Sequence, residues 1–386
     1  SASLARMRSS VRSRLAPPFD NIYLKQMKKL ILTFFMSSSL VILACDRSES
    51  MSHDNSKMYD HSMHHEVSTI PISIMEAGTH EAGHFMIALR HMKMSMERNS
   101  DMGNTLSDQE IISFLNPYSV NEIMPFLSIV PEKMDMKMTM LESMYVANDR
   151  YTFMLMAHFI NKEMSQNMYS PMGSRDFLRT MNSDTSDLSN LSISTFIKLN
   201  ESENFRMNVE IGLDKSLGKN DVTKNVINAM NMKTNMTLPY AMQSGDQSTC
   251  LLTAYTVVSK GHNLNFGGQV KKKSPVIKKD WNFGDTLDFN FWVSKIVSSK
   301  SSVFLNLNYK KIKEIEGRDP SINAPTQAAN PSYYGGKYTN LSFGLNIQMN
   351  HKNTLGFEYT VPVKQDLNGP QLEIKNNFSL AYKLSI

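Results

Sequence analysis

"NNFSLAYKLSI", residues 376–386, alternates without a break: Phe378, Leu380, Tyr382, Leu384 and Ile386 are separated by Ser379, Ala381, Lys383 and Ser385. A period of two sends successive side chains to opposite faces of an extended chain, so the stretch predicts a β-strand with one apolar face. Moving back along the chain, the pattern recurs in Leu355, Phe357, Tyr359, Val361 and Val363, in Leu341, Phe343, Leu345 and Ile347, and in Val303, Leu305, Leu307 and Tyr309. It returns in Leu287, Phe289, Phe291 and Val293 and in Phe205, Val209, Ile211 and Leu213. The opposite faces carry Glu358, Asn306, Asn308, Asp288, Asn290, Arg206 and Glu210.

Twelve such strands are expected, at 84–97, 132–147, 151–163, 188–200, 204–214, 248–259, 262–271, 285–297, 302–314, 337–349, 353–364 and 376–386. The joins at 148–150, 201–203, 260–261, 298–301 and 350–352 are tight, and those between them are long. A transmembrane barrel sorts its connections this way, with short periplasmic turns and longer extracellular loops. A large soluble all-β protein, the competing reading, has no reason to do so. Strands of ten or more residues cross the hydrocarbon layer when tilted, and closure leaves no unpaired edge in lipid. The expected fold class is therefore all-β: a transmembrane antiparallel β-barrel of about twelve strands over 83–386, behind a disordered N-terminal leader.

Net charge is +5 and spread along the chain, with no basic cluster interleaved with aromatics, so no nucleic-acid partner is expected. Two cysteines, Cys45 and Cys250, allow neither an internal disulfide framework nor a cysteine-based zinc site. No nucleophile elbow, phosphate loop or dinucleotide fingerprint is present, and the chain is not read as an enzyme. Met27, Lys28 and Lys29 followed by "LILTFFMSSSLVILA" have the layout of a signal peptide over 27–44. Residues 1–26 then read as an upstream extension and 45–82 as a periplasmic Met/His-rich leader. The expected location is the bacterial outer membrane, with its lipid as the first partner.

Methionine is the unusual residue, at 30 against 14 tyrosines and 19 phenylalanines. "MDMKMTM", residues 134–140, places it at every second position. Glu142 follows, about six residues above a tight turn, where a carboxylate facing lipid is costly. Glu142 is therefore assigned to the lumen, and Met134, Met136, Met138, Met140 and Met144 go with it. The flanking strands add Met86, Arg90, Met92, Met94 and Met96 on one side and Met154, Met156 and His158 on the other. Soft thioether sulfur suits copper(I). The plainer reading makes these methionines apolar filler.

Residues 51–65, "MSHDNSKMYDHSMHH", combine Met51, Met58 and Met63 with His53, His61, His64 and His65. Such a tract builds no core and is expected to stay disordered until something binds. Six of the ten histidines fall between residues 53 and 84, and imidazole with thioether favours copper over magnesium or calcium. Copper is thus the candidate bound ion, and periplasmic copper carriers are candidate partners. "HEAGH", residues 80–84, matches the H-E-x-x-H pattern of zinc peptidases, which requires a helix. Gly83 and the strand-like run that follows argue against one.

The stretches "HFMIALRHMKMSME", "MDMKMTMLESMYVANDRYTFMLM", "LPYAMQSGDQST", "DPSINAPTQAANPSYYGGK" and "PVKQDLNGPQLE" span 84–373. In order and spacing, over about 83–386, they resemble the outer-membrane barrel transporters assigned to the MetA pathway of phenol degradation. The last strand resembles an outer-membrane assembly signal, with Ile386 in place of the usual aromatic. "SGDQST" departs from the family's more glycine-rich turn. "ILAC" resembles a lipobox, which would make Cys45 a lipidated N-terminus. The tract at 51–65 resembles the leaders of copper-resistance barrels. The resemblance implies a barrel that transports aromatic compounds or metal. The expected function is an outer-membrane channel or transporter handling copper or another soft metal. The alternatives are a barrel taking up small hydrophobic or aromatic compounds and an exported zinc peptidase.

Overall fold

The computed structural model describes residues 67–75, 82–119, 125–202, 204–259, 261 and 263–386. The strands are β1 (Phe85–Asp101), β2 (Ile129–Val146), β3 (Tyr151–Tyr169), β4 (Phe177–Glu201), β5 (Phe205–Ser216) and β6 (Thr249–Ser259). They continue as β7 (Leu264–Ile277), β8 (Thr286–Ser298), β9 (Ser301–Ile312), β10 (Gly336–Gln348), β11 (Asn353–Leu367) and β12 (Gln371–Ser385). Each pairs antiparallel with its chain neighbour, and β12 closes on β1 from Met86↔Ser385 upward. The expected twelve-stranded antiparallel barrel is the observed one.

Its two faces are inverted relative to a soluble protein. Leu89, Leu141, Phe153, Leu155, Phe159, Ile193, Phe266, Phe291 and Phe378 are exposed on the outside. Ser192, Asn208, Glu210, Asp214, Thr256, Asn306 and Glu358 are buried inside. An apolar outer band around a polar interior is the arrangement of a barrel solvated by lipid.

Two of the tight turns are built by asparagine. Asn148 Oδ1 accepts from the backbone N–H of Arg150 and Tyr151, and Asn350 Oδ1 accepts from Lys352 and Asn353. A short amide side chain that mimics a turn's own backbone bond is the reason asparagine recurs there.

The opposite end departs from expectation. β3 and β4 run to 19 and 25 residues, well beyond the ~10 that cross a bilayer, so part of each expected loop is strand. The join after β11, expected to be long, is residues 368–370 only. The described parts of the long joins that remain are folded. The first carries α1 (Asp108–Ile112), whose Ser107 cap and Glu110 satisfy each other's backbone N–H groups in a capping box. Hydrogen bonding by Ser107 also holds the Glu110 carboxyl below its usual range. Residues 217–248 carry a hairpin, Thr223–Ile227 with Lys233–Thr237, and a short turn at Tyr240–Met242.

Residues 67–75 belong to the stretch 45–82 expected to be a periplasmic leader ahead of the barrel. They lie inside it. Ser73 donates from its N–H and hydroxyl to the two oxygens of Glu358, each at 2.9 Å. Asn346 Nδ2 donates to the carbonyls of Ser68 and Ile70, both at 3.0 Å, and Gln269 donates to that of Met75 at 3.2 Å. Ile74 packs on Val258 and Trp292. Ile72 fills the space a side chain would need at Gly356, where a Cβ would stand 2.2 Å from it.

Candidate functional site

The lumen is divided into a floor, a cavity and a roof. The floor is the segment 67–75 with the side chains that hold it. The cavity above it measures 540 Å³ and has two unlike walls. One is Met92, Met94, Met96, Met134, Met136, Met138 and Met164; the other includes Asp288, Asn290, Asn306, Asn308 and Asn340.

The roof is made by two of the stretches that carry the family resemblance. "LPYAMQSGDQST" places Tyr240 edge-on to Trp281 at 4.8 Å, and "DPSINAPTQAANPSYYGGK" places Tyr334 5.2 Å from Phe283. With Ile315, Ile322 and Ala329 they form one apolar cluster. Burial pushes the hydroxyl of Tyr334 up to about 12. The roof is tied to the wall by Lys162, whose ammonium donates to the carbonyls of Ala241 at 2.9 Å and Gln243 at 2.7 Å. Gln327 donates to Asn99 at 2.9 Å, a second tie on the other side.

Strand register decides how the methionines meet. Across β1 and β2, Met86 is opposite Met144, Met92 opposite Met138, Met94 opposite Met136 and Met96 opposite Met134. Across β2 and β3, Met134 is opposite Met164, Met144 opposite Met154, Met140 opposite His158 and Glu142 opposite Met156. Directly opposed residues on one sheet face have Cβ atoms ~4.5–5.5 Å apart, so each pair forms a rung. Two rungs, Met96–Met134–Met164 and Met86–Met144–Met154, span all three strands.

Below the cavity, Met140, Met144, Met154 and Met156 are buried with Phe196, and Met75, Met86 and Met138 pack against them. Above it, Met134, Met164 and Met242 are buried with Leu238, and Met96 and Met236 pack against them. The sulfurs therefore form a column from the roof loop to the floor segment. Glu142 sits within it as an ion pair with Arg90, 3.1 Å apart and both buried. His158 is half-buried beside the lower cluster. A second polar file runs alongside. Lys271 reaches Glu210 at 2.9 Å, Lys273 pairs with Asp214, and Asn190 donates to Asp214 at 2.8 Å.

The leader residues Met51, His53, Met58, His61, Met63, His64 and His65 lie outside the described residues, as do His80 and Glu81. Ala82 and Gly83 form a turn and His84 leads into β1, with Gly83 donating to the Val146 carbonyl at 2.8 Å. That is not the helical setting H-E-x-x-H chemistry requires. Among the described residues, no three His, Cys, Asp or Glu side chains come together as a metal site. Met75, Met164, Met236, Met242, Lys162 and Gln269 were not foreseen. Met164 was legible, because it continues the even-numbered face of β3. Met75, Met236 and Met242 lie outside the barrel strands and gave no periodic signal.

The architecture is similar to that of an outer membrane channel from Pseudomonas putida F1, at 14% identity and a TM-score of 0.48 over 81% of this chain and 100% of that one. It is also similar to the TodX monoaromatic hydrocarbon channel in a ΔS2S3 form, at 7% and 0.43 over 79% and 91%. A Pseudomonas aeruginosa FadL homologue is similar at 9% and 0.37 over 78% and 89%. These likenesses are of barrel architecture and bear on no cargo. No family model and no curated protein matches the chain.

Proposed function

We propose that the chain is a bacterial outer-membrane channel that passes a soft cation, copper(I) foremost, along its methionine column. Periplasmic copper carriers are the partners proposed for it. The observation that carries this reading is the register. Thioethers oppose thioethers at four rungs between β1 and β2, two of these rungs extend onto β3, and methionine clusters reach both the roof and the floor. Leucine or phenylalanine fills a lumen equally well, so filling space does not account for sulfur at successive rungs. Weak, multiple, equivalent donors suit a cargo that must move on, since conduction needs sites that bind and release.

The test replaces Met92, Met94, Met136, Met138, Met140 and Met154 with leucine, a volume-conserving swap that usually costs under ~1.5 kcal/mol per site. The barrel is expected to keep its heat-modifiable gel mobility while copper(I) flux into proteoliposomes falls and potassium chloride conductance stays the same. Unchanged copper(I) flux through the assembled leucine variant would remove the soft-metal reading.

A second reading rests on the cavity itself. A volume of 540 Å³ is far larger than one ion needs and falls within the range of small-molecule pockets. Thioethers with Tyr333, Tyr334 and Tyr338 offer an apolar face, and the asparagines offer hydrogen bonds. A small amphipathic organic solute, such as a hydroxylated aromatic ring, meets both. The leucine variant keeps the apolar wall, so passage of such a solute should survive in it.

A further inference from the structure

At the foot of the cavity the methionine column meets a nitrogen. His158 lies directly opposite Met140 across β2 and β3, and Met156 is two residues away on the same face of β3. Directly opposed Cβ atoms stand ~4.5–5.5 Å apart, and residues two apart along a strand ~6.6 Å. Met140 and Met156 are diagonal neighbours, at ~7–8 Å. Methionine's three rotatable bonds let both sulfurs turn toward one point beside the imidazole.

The imidazole lacks a partner. Its Nε2 is enclosed and finds no hydrogen-bond partner among the described residues. The polar neighbours on β4 are committed elsewhere: Asn190, opposite His158, and Ser192, opposite Met156, both donate to Asp214. Asp214 is itself paired with Lys273. On the other side Glu142, opposite Met156, is held 3.1 Å from Arg90. An enclosed ring nitrogen left without a bond is costly, and leucine would pack among these methionines without that cost.

The place of the ring along the lumen gives it a use. Met138, one rung above Met140, lines the cavity and also packs against the lower cluster, so His158 stands where the cavity gives way to buried sulfur. Imidazole nitrogen binds copper, and thioether sulfur selects its reduced state. The flanking charges already cancel in pairs, Glu142 with Arg90 and Asp214 with Lys273. Neutral donors between cancelled charges favour a monovalent ion, because the cost of stripping water from an ion grows with the square of its charge.

We infer that His158, Met140 and Met156 form a copper(I) site at the foot of the cavity, the tightest stop in the lumen and the point where a soft monovalent ion is selected over zinc(II). This rests on the reading of the methionine column as a copper(I) path. The thioether rungs carry the ion to and from the site, and the site sets which ion is carried.

The experiment titrates copper(I) anaerobically into the full chain in detergent against bathocuproine disulfonate, with heat-modifiable mobility as the check that each variant folds. Every variant keeps residues 51–65, so copper held there cancels in the comparison. His158→Leu should weaken the tightest lumenal site by roughly a hundredfold, since even an outer partner of a metal ligand is typically worth about 10–100-fold. Absorption at the copper edge should lose a nitrogen scatterer in the same variant. His158→Met returns a soft donor and should recover part of the affinity, whereas a packing role would leave the leucine and methionine variants alike. Excess zinc(II) should leave the His158-dependent copper in place. Equal copper(I) binding by His158→Leu and the unaltered chain, or displacement of that copper by zinc(II), would overturn the site alone. Equal binding by the unaltered chain and the sixfold leucine variant would overturn the column reading and the site together.

Discussion

Glu142 and Arg90 form an ion pair inside the lumen, 3.1 Å apart, with both side chains about 5% exposed. The carboxylate that assigned the methionine face of β2 from sequence is thus paired with a guanidinium one strand away. The groups are close but not aligned as a hydrogen bond, so their attraction is Coulombic. Removing one partner of a buried pair typically costs 3–5 kcal/mol, whereas replacing both with apolar groups is often neutral.

Glu142→Ala should therefore destabilise the barrel by about 3–5 kcal/mol. Arg90→Met combined with Glu142→Leu should recover most of that loss. Urea unfolding in detergent, followed by tryptophan fluorescence, measures both. A Glu142→Ala barrel as stable as the parent would show that water solvates the pair.

Lys162 holds the roof through two carbonyls. Lys162→Met keeps the stem and removes both charge-assisted bonds, each worth about 1.5–3 kcal/mol. The open-roof population should rise by about a hundredfold or more, seen as more frequent large openings in single-channel recordings. An unaltered opening frequency would mean that the aromatic cluster alone keeps the roof shut.

The floor depends on Gly356, which leaves room for Ile72. Gly356→Val suits a strand but takes that space, so residues 67–75 should leave the lumen. Conductance should increase, and a protease added on the periplasmic side should cut the freed segment. Wild-type conductance in Gly356→Val would show that this segment does not close the pore.

Tyr334 predicts how the roof responds to alkali. Its hydroxyl is held near 12 against an ordinary value of 10.0, first by burial and then by the charge of Asp246. A group whose folded value is raised contributes stability that is fully present below its unfolded value and is lost as pH rises through the folded one. The roof should therefore loosen between pH 10 and pH 12, with tyrosinate absorbance and channel opening rising together. Opening already complete at pH 9 would assign the transition to another group.

The period-two pattern determined the strands and their number, the sorting of short and long joins pointed to the barrel, and the placing of polar residues such as Glu142 determined the face turned to the lumen. That information is local, because each residue's polarity states its own preference for water or hydrocarbon wherever its partners are. Met92, Met94, Met96 and Met134 through Met144 were readable in this way, and Met164 would have been had the third strand been followed past residue 163. Register is a different kind of fact. That Met94 faces Met136 and Met96 faces Met134 depends on backbone pairing between distant segments, and a slip by two residues would preserve every face while changing every rung. Only the tertiary structure decided that residues 67–75 enter the lumen, because their short run of Ile70, Ile72 and Ile74 fits a strand as well as a plug. It alone decided that two irregular loops roof the cavity, since that follows from the space the closed barrel leaves.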